Sequence, residues 1–367
     1  MKKRLFSLLL VSALVFTLSG CGEKSLLRES DPVTLNFWHV YGEQSGSPMD
    51  LLVQEFNRTV GQEKGVRVQV TNLSSASKIG GFLKEAQKGG RDAPEMPDLF
   101  TCHISDATAL GSDNLVDWNA RFTAEELSNF VPGFLADGMT EDGTLLLFPI
   151  SKSTQLLMCN GSGFARSLAQ GHVVVSDLYS NTQVMTGDVL SGLGSSAAIL
   201  YYNDTVTYRD GTQEPMDLHV LPMPKTAGAD ALMAQAGVGL CAYKTTDQKA
   251  EAAALFVRWL TESERNLDFV AQTGYMPVRN GAFDAIENYD KFPEPTESYR
   301  QLYAALKIMQ ESYTPLSEPR FEGYYGKVSQ LYDGLRQMQQ ELPARAAAGE
   351  SIDTLAEETW ALLCAIH

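Results

Sequence analysis

The stretch "VTLNFWHVYGEQSGSPMDLLVQEFNRTVGQEKGVRVQVTNL", residues 33–73, decides the fold. Leu35, Phe37 and Val40 read as the apolar positions of a strand over 33–40, which Gly42 breaks. Ser47 followed by Pro48 is a helix start, with a serine to cap and a proline at the first helical position. Leu52, Phe56 and Val60 then recur on one helical face. Residues 65–73 alternate apolar and polar and predict a second strand. The same rhythm continues with a helix over 77–88 and an apolar strand over 97–104. Thr123 with Glu126 then forms a capping-box start for a helix over 124–135. This β-α-β-α-β order predicts an α/β lobe with a largely parallel sheet, in which ligands bind beyond the carboxyl ends of the strands.

Those strand ends carry side chains suited to binding. Trp38, His39 and Tyr41 follow the first strand, and Thr101, His103 and Asp106 follow the third. Period-two alternation places Trp38 and His39 on opposite faces, puts Tyr41 with His39, and puts Thr101 with His103. A strand tryptophan serves equally as core filler and as a platform for a ligand, and the residues leave both open for Trp38.

From residue 144 the pattern changes. "TLLLFPISKSTQLLMCN" (144–160) is two apolar runs interrupted by Pro149, and "MDLHVLPMPKT" (216–226) is an extended run broken by Pro222 and Pro224. Two separated, proline-punctuated segments predict two crossings between lobes, with Ser153, Thr154 and Gln155 at the first. Residues 237–243 read as a strand and Ala250–Leu260 as a helix. Gly274-Tyr275 precedes Pro277, and the remainder is mainly helical.

The N-terminus, "MKKRLFSLLLVSALVFTLSGC", joins a basic start to a short apolar run and small residues before Cys21. That is the pattern of a signal peptide over 1–20 rather than a spanning helix. Leu18-Ser19-Gly20-Cys21 resembles the lipobox of bacterial lipoproteins, so Cys21 is the expected lipidation site and 21–32 a polar tether. About 347 residues then remain, enough for two cores, and loss of Lys2, Lys3 and Arg4 takes the formal charge of −16 to −19. So acidic a chain lacks the basic footprint of a nucleic-acid binder. Cys102, Cys159, Cys241 and Cys364 are widely spaced and read as buried thiols, with a disulfide the alternative outside the cytoplasm. No phosphate loop, dinucleotide fingerprint, zinc-protease or serine-elbow motif occurs, and the histidines lack metal-ligand spacing. His103 and Asp106 could act as base and orienter, yet no nucleophile accompanies them. The reading is therefore a binding protein without catalysis, metal or cofactor.

Several of these segments resemble the extracellular solute-binding proteins of ABC importers, in the carbohydrate-binding group similar to maltose-binding protein. The opening strand, loop and helix, "MPDLFTCHISDATALGSDNLVDWNARF" (96–122), the hinge "FPISKSTQLLMCN" (148–160), "HVLPMPKT" (219–226) and "AGVGLCAYKTTDQKAEAAALFVRWLTESERNLDFVAQTGYMPVR" (236–279) follow one another in the family's order. The resemblance implies a type II periplasmic-binding-protein-like α/β fold, two lobes joined by a hinge. The first lobe is expected over 33–148 plus 225–280 and the second over 149–224 plus 281–367. It implies capture of a sugar or oligosaccharide and delivery to ABC permease subunits. The carrier would be a monomer held on the outer face of the cytoplasmic membrane by its lipid alone. Carried over by position, the expected ligand contacts are Trp38, His39, Tyr41, Thr101, His103, Asp106, Ser153, Gln155 and Tyr275. One departure stands out. The stretch after Asn160 is short and lacks the family's usual Thr-Trp helix start, so the second lobe is expected to be shortened, with Tyr201, Tyr202, Tyr324 and Tyr325 as compensating aromatics. The alternatives are an envelope scaffold for a protein partner or a degenerate member that binds nothing.

Overall fold

The computed structural model describes residues 25–42, 46–73, 76–91, 93–160, 179–225, 228, 230–321 and 323–350. The signal segment, Cys21 and Cys364 lie outside the described residues, as do the side chains of Gln155, Cys159 and Tyr325.

The first half follows the rhythm of its sequence: β1 (Val33–His39), α1 (Pro48–Arg58), α2 (Val60–Lys64), β2 (Val66–Asn72), α3 (Ala76–Lys88), β3 (Leu99–Cys102), α4 (Ile104–Leu110), α5 (Ala124–Ser128) and α6 (Pro132–Asp137). There follow β4 (Gln155–Asn160), α7 (Ser180–Met185), β5 (Ser191–Ser195), β6 (Thr205–Thr207), β7 (Gln213–Pro215), β8 (Leu218–Leu221), β9 (Leu232–Ala234) and β10 (Gly239–Ala242). The chain closes with α8 (Asp247–Leu260), α9 (Ser263–Thr273), α10 (Ala282–Ile286), α11 (Thr296–Ser312), β11 (Thr314–Leu316) and α12 (Tyr324–Ala347). Some elements depart from expectation: the strand over 97–104 is confined to Leu99–Cys102, with α4 starting at Ile104. The helix over 124–135 is split into α5 and α6, because Pro132 holds Val131 extended (φ −60°, ψ 119°) and restarts the helix. The buried face of α1 is Met49, Val53 and Phe56, while Leu52 is half-buried, because Ser47 and Pro48 set the phase of the helix.

The first sheet has the order β10-β3-β1-β2. β1 runs parallel to both β2 (Val33↔Val66 through His39↔Asn72) and β3 (Phe37↔Leu99, Trp38↔Phe100). β10 joins antiparallel, with Gly239 opposite Cys102. Both faces are covered, as parallel strands require. Leu35 and Phe37 pack with Met49, Val53, Phe56 and Phe256 on one face, and Trp38, Phe100 and Cys102 pack with Ile79 and Leu83 on the other. Each such fully buried side chain contributes about 1.5–3 kcal/mol of transfer free energy. Cys102 and Cys241 are buried free thiols with Sγ atoms 3.7 Å apart.

The second sheet is antiparallel and three-stranded, order β5-β4-β8, with α11 against β8 and the small β6–β7 hairpin beside it. Three stretches connect the sheets. Residues 148–154 leave β10, where Phe148 pairs with Leu240, pass Met276 and Ala236, and become β4. β9 brings the chain back from β8, and β11 pairs with β9 in parallel. Among the described residues no helix is long and apolar enough to cross a membrane.

Candidate functional site

The carboxyl end of β1 is built from hydrogen bonds. The Ser47 hydroxyl donates to the Tyr41 carbonyl (2.7 Å) and accepts from the Asp50 N–H (3.3 Å), so one side chain both caps α1 and closes the preceding loop. His39 is fully buried. Its Nδ1 accepts from the Tyr41 N–H (3.2 Å), which leaves the proton on Nε2 to donate to Asp50 Oδ1 (2.8 Å). Burial lowers the His39 pKa below the ordinary imidazole value, against the opposing pull of Asp50. Trp38 is 9% exposed and lies on the opposite face. Alternation therefore holds as expected, and each of the two faces leads into packed core: Trp38 fills it and His39 locks the loop.

Tyr41 opens a polar cluster at the first crossing. Its hydroxyl meets Ser151 Oγ at 3.0 Å, and its ring stands edge-on to Phe269 (5.2 Å) and Tyr275 (6.0 Å). Burial raises the Tyr41 pKa, so the phenol stays protonated. The crossing strand is buried along Ile150–Thr154 although four of its five residues are polar. Ser153 Oγ lies 2.7 Å from Ser195 Oγ and accepts from Ser196 Oγ at 3.4 Å, tying β4 to the end of β5. The Lys152 N–H donates to the Met276 carbonyl, which holds Tyr275 beside the crossing. Tyr275 is half-buried, and its carbonyl accepts from the Tyr303 hydroxyl. Gln155 enters β4 opposite Ser195.

A second group sits at the end of the adjacent strand β3. His103 caps α4, and Asp106 returns a capping-box hydrogen bond to its N–H (3.4 Å). His103 Nδ1 lies 3.5 Å from Glu318. Burial raises the Asp106 pKa, with His103 opposing. Thr101 is fully buried within β3, and its hydroxyl, like that of Thr154, has no hydrogen-bond partner among the described residues.

The structure thus brings Tyr41, Ser153 and Tyr275 to one crossing and His103 with Asp106 to the neighbouring strand end. Trp38, His39 and Thr101 sit within the sheet. Of the aromatics expected to compensate in the second lobe, Tyr202 is buried, Tyr201 is about half exposed, and Tyr324 stands edge-on to Phe321. Sequence reasoning missed Ser151, Ser195, Ser196, Glu318 and a buried ion pair between Lys152 and Asp137. The "SKST" run of polar residues inside an apolar stretch was the available signal for the crossing; nothing in the sequence pairs residues 137 and 152. Among the described residues no group of histidine, cysteine and carboxylate side chains could hold a metal ion.

Residues 164–294 match the family model described as bacterial extracellular solute-binding protein. No curated protein matches the sequence. Three solved structures are similar in fold. A cyclic alpha-maltosyl-1,6-maltose binding protein from Arthrobacter globiformis is 14% identical, with 91% of this chain and 99% of that one covered at a TM-score of 0.61. UgpB from Mycobacterium tuberculosis, in complex with glycerophosphocholine, is 15% identical over 91% and 99%, TM-score 0.62. The sugar-binding protein MalE from Xanthomonas citri is 13% identical over 89% and 95%, TM-score 0.59.

Proposed function

We propose that this chain, which has the fold of the extracellular solute-binding proteins and matches their family model over residues 164–294, captures a neutral sugar or oligosaccharide for an ABC importer. The matched family and two of the similar structures, those from Arthrobacter globiformis and Xanthomonas citri, are named as binding proteins. The observation that carries the ligand class is the crossing itself. It gathers hydroxyl groups (Ser151, Ser153, Ser195, Ser196, Tyr41), most of them buried and bonded to one another, beside the half-buried ring of Tyr275, and the Lys152 ammonium there is buried against Asp137. Hydroxyls and an aromatic ring suit a polyol. A phosphorylated solute such as that of the mycobacterial structure calls for a cation free to meet it.

On this reading the lobes are 33–148 plus 225–280 and 149–224 plus 281–367, and ligand favours their closed arrangement. Lipid on Cys21 would hold the receptor on the outer face of the cytoplasmic membrane beside its permease.

Thermal unfolding against a panel of neutral mono- and oligosaccharides tests the proposal. The cognate class should stabilise the protein, by about 2.7 kcal/mol at a hundredfold excess over Kd and further as the concentration rises. Tyr275→Ala should weaken that binding more than about tenfold, read by calorimetric titration. A folded protein silent across the whole panel would favour a protein partner, and release of reducing ends would show a hydrolase instead.

A further inference from the structure

Residues 25–32 are docked on the first lobe rather than free. The Ser25 hydroxyl donates to Glu251 Oε1 (2.6 Å) and the Leu26 N–H to Oε2 (3.0 Å), so one carboxylate of α8 holds two consecutive residues. Leu27 packs against the core. The Asp31 N–H closes a turn onto the Arg28 carbonyl, and Gln248 of α8 donates to the Asp31 carbonyl (3.1 Å). Arg28 also lies over Gly65, where an added Cβ would fall 2.2 Å from its carbonyl oxygen. The Val33 N–H then donates to the Gly65 carbonyl and starts β1.

We propose that this docked segment fixes how the receptor sits on the bilayer, with the α8 edge of the first lobe turned to the lipid surface. The proposal rests on lipid attachment at Cys21. Between Cys21 and Ser25 there are four residue steps, which span at most about 14 Å when fully extended. A chain of this length has a radius of gyration of about 20 Å. Four residue steps therefore separate the lipid from the docked segment by less than the protein's width, and the protein cannot tumble about its anchor. Charge does not decide this, since the edge carries both signs: Asp247 pairs with Arg121 (3.0 Å) and Lys249 with Asp98 (2.7 Å). The partner is the bilayer surface, and zwitterionic lipid suffices.

The test uses the lipidated full chain in phosphatidylcholine vesicles carrying an acceptor dye on the headgroups. A donor is placed either at Thr245→Cys, exposed just before α8, or at Gln213→Cys, exposed on the β6–β7 hairpin. Cys159 and Cys364 are changed to serine, while Cys102 and Cys241 are buried and do not label. Energy transfer from position 245 should exceed that from 213 several-fold. Inserting about 20 Gly/Ser residues after Lys24, a coil of roughly 25 Å, should bring the two values together. Equal transfer from both sites in the unextended protein, with the protein bound to vesicles, overturns the orientation and leaves the anchor standing. Failure to co-float with vesicles overturns the lipid anchor and the orientation with it.

Discussion

At the residue scale, His39 shows how a position at a strand end is claimed by structure. Its two ring nitrogens are both used, one by the Tyr41 N–H and one by Asp50, and that requires the neutral ring. Because its folded pKa is lowered from 6.5, the unfolded chain binds the proton first as pH falls. Stability should therefore be complete above about pH 7 and decline as pH falls through roughly 6.5 toward the lower folded pKa. Urea midpoints measured at about pH 7.5 and pH 5.5 check this. The drop should be smaller in His39→Gln, and equal drops in the two proteins would show that the ring titrates normally. Trp38 makes the complementary point. Its site among Ile79, Leu83 and Phe100 means that truncation opens a cavity.

At the element scale, α6 is where the connections between the sheets meet the first lobe. Asp137 at its end engages Lys152 of the first crossing. Gly133 in its first turn faces Pro315 of β11, 3.2 Å from an added Cβ, with the Gln235 amide close by at 3.9 Å. Arg320 donates to the carbonyls of Ala136, Asp137 and Met139 at its carboxyl end. The helix is only six residues long and has no side-chain cap at its start, so these contacts hold it. Gly138 closes it, and there a Cβ would fall 1.9 Å from the Leu147 carbonyl oxygen. Gly138→Ala should thus destabilise the protein by more than about 2 kcal/mol in denaturant unfolding, although alanine suits the local helical backbone. A change within about 0.5 kcal/mol would mean that the 145–148 segment shifts freely.

At the scale of the whole molecule, the Lys152–Asp137 pair joins the crossing strand to the lobe it leaves. Both side chains are nearly inaccessible, and the other Asp137 oxygen and Gln235 Oε1 lack partners among the described residues. Removing one charge strands the other in a low-dielectric interior. Lys152→Met alone should cost about 3–5 kcal/mol, while Lys152→Met with Asp137→Leu should recover most of it. Denaturant unfolding of the single and double variants measures the difference, and additive losses would argue against the pair. Saccharide titration of the double variant then asks whether the crossing still supports binding once it is no longer held by charge.

The alternating elements, the parallel first sheet and the two main crossings were legible because each rests on local chemistry. Examples are the period of Leu35 and Phe37, the Ser47-Pro48 start, the Thr123–Glu126 box and the breaks at Pro149, Pro222 and Pro224. The strand ends were legible as positions for the same reason. Which of their side chains stay available was not, since that depends on what packs from elsewhere in the chain: Asp50 on His39, Ile79 and Leu83 on Trp38, Ser151 on Tyr41, Glu318 on His103. The Lys152–Asp137 pair and the docking of Ser25 onto Glu251 likewise join residues with no periodic relation. The sequence by itself determined the order and kind of elements, because propensity, capping and hydrophobic period act over a few residues. Only the tertiary structure decided which polar groups are locked and which line the crossing, because burial and hydrogen-bond partnership depend on residues brought together from distant parts of the chain.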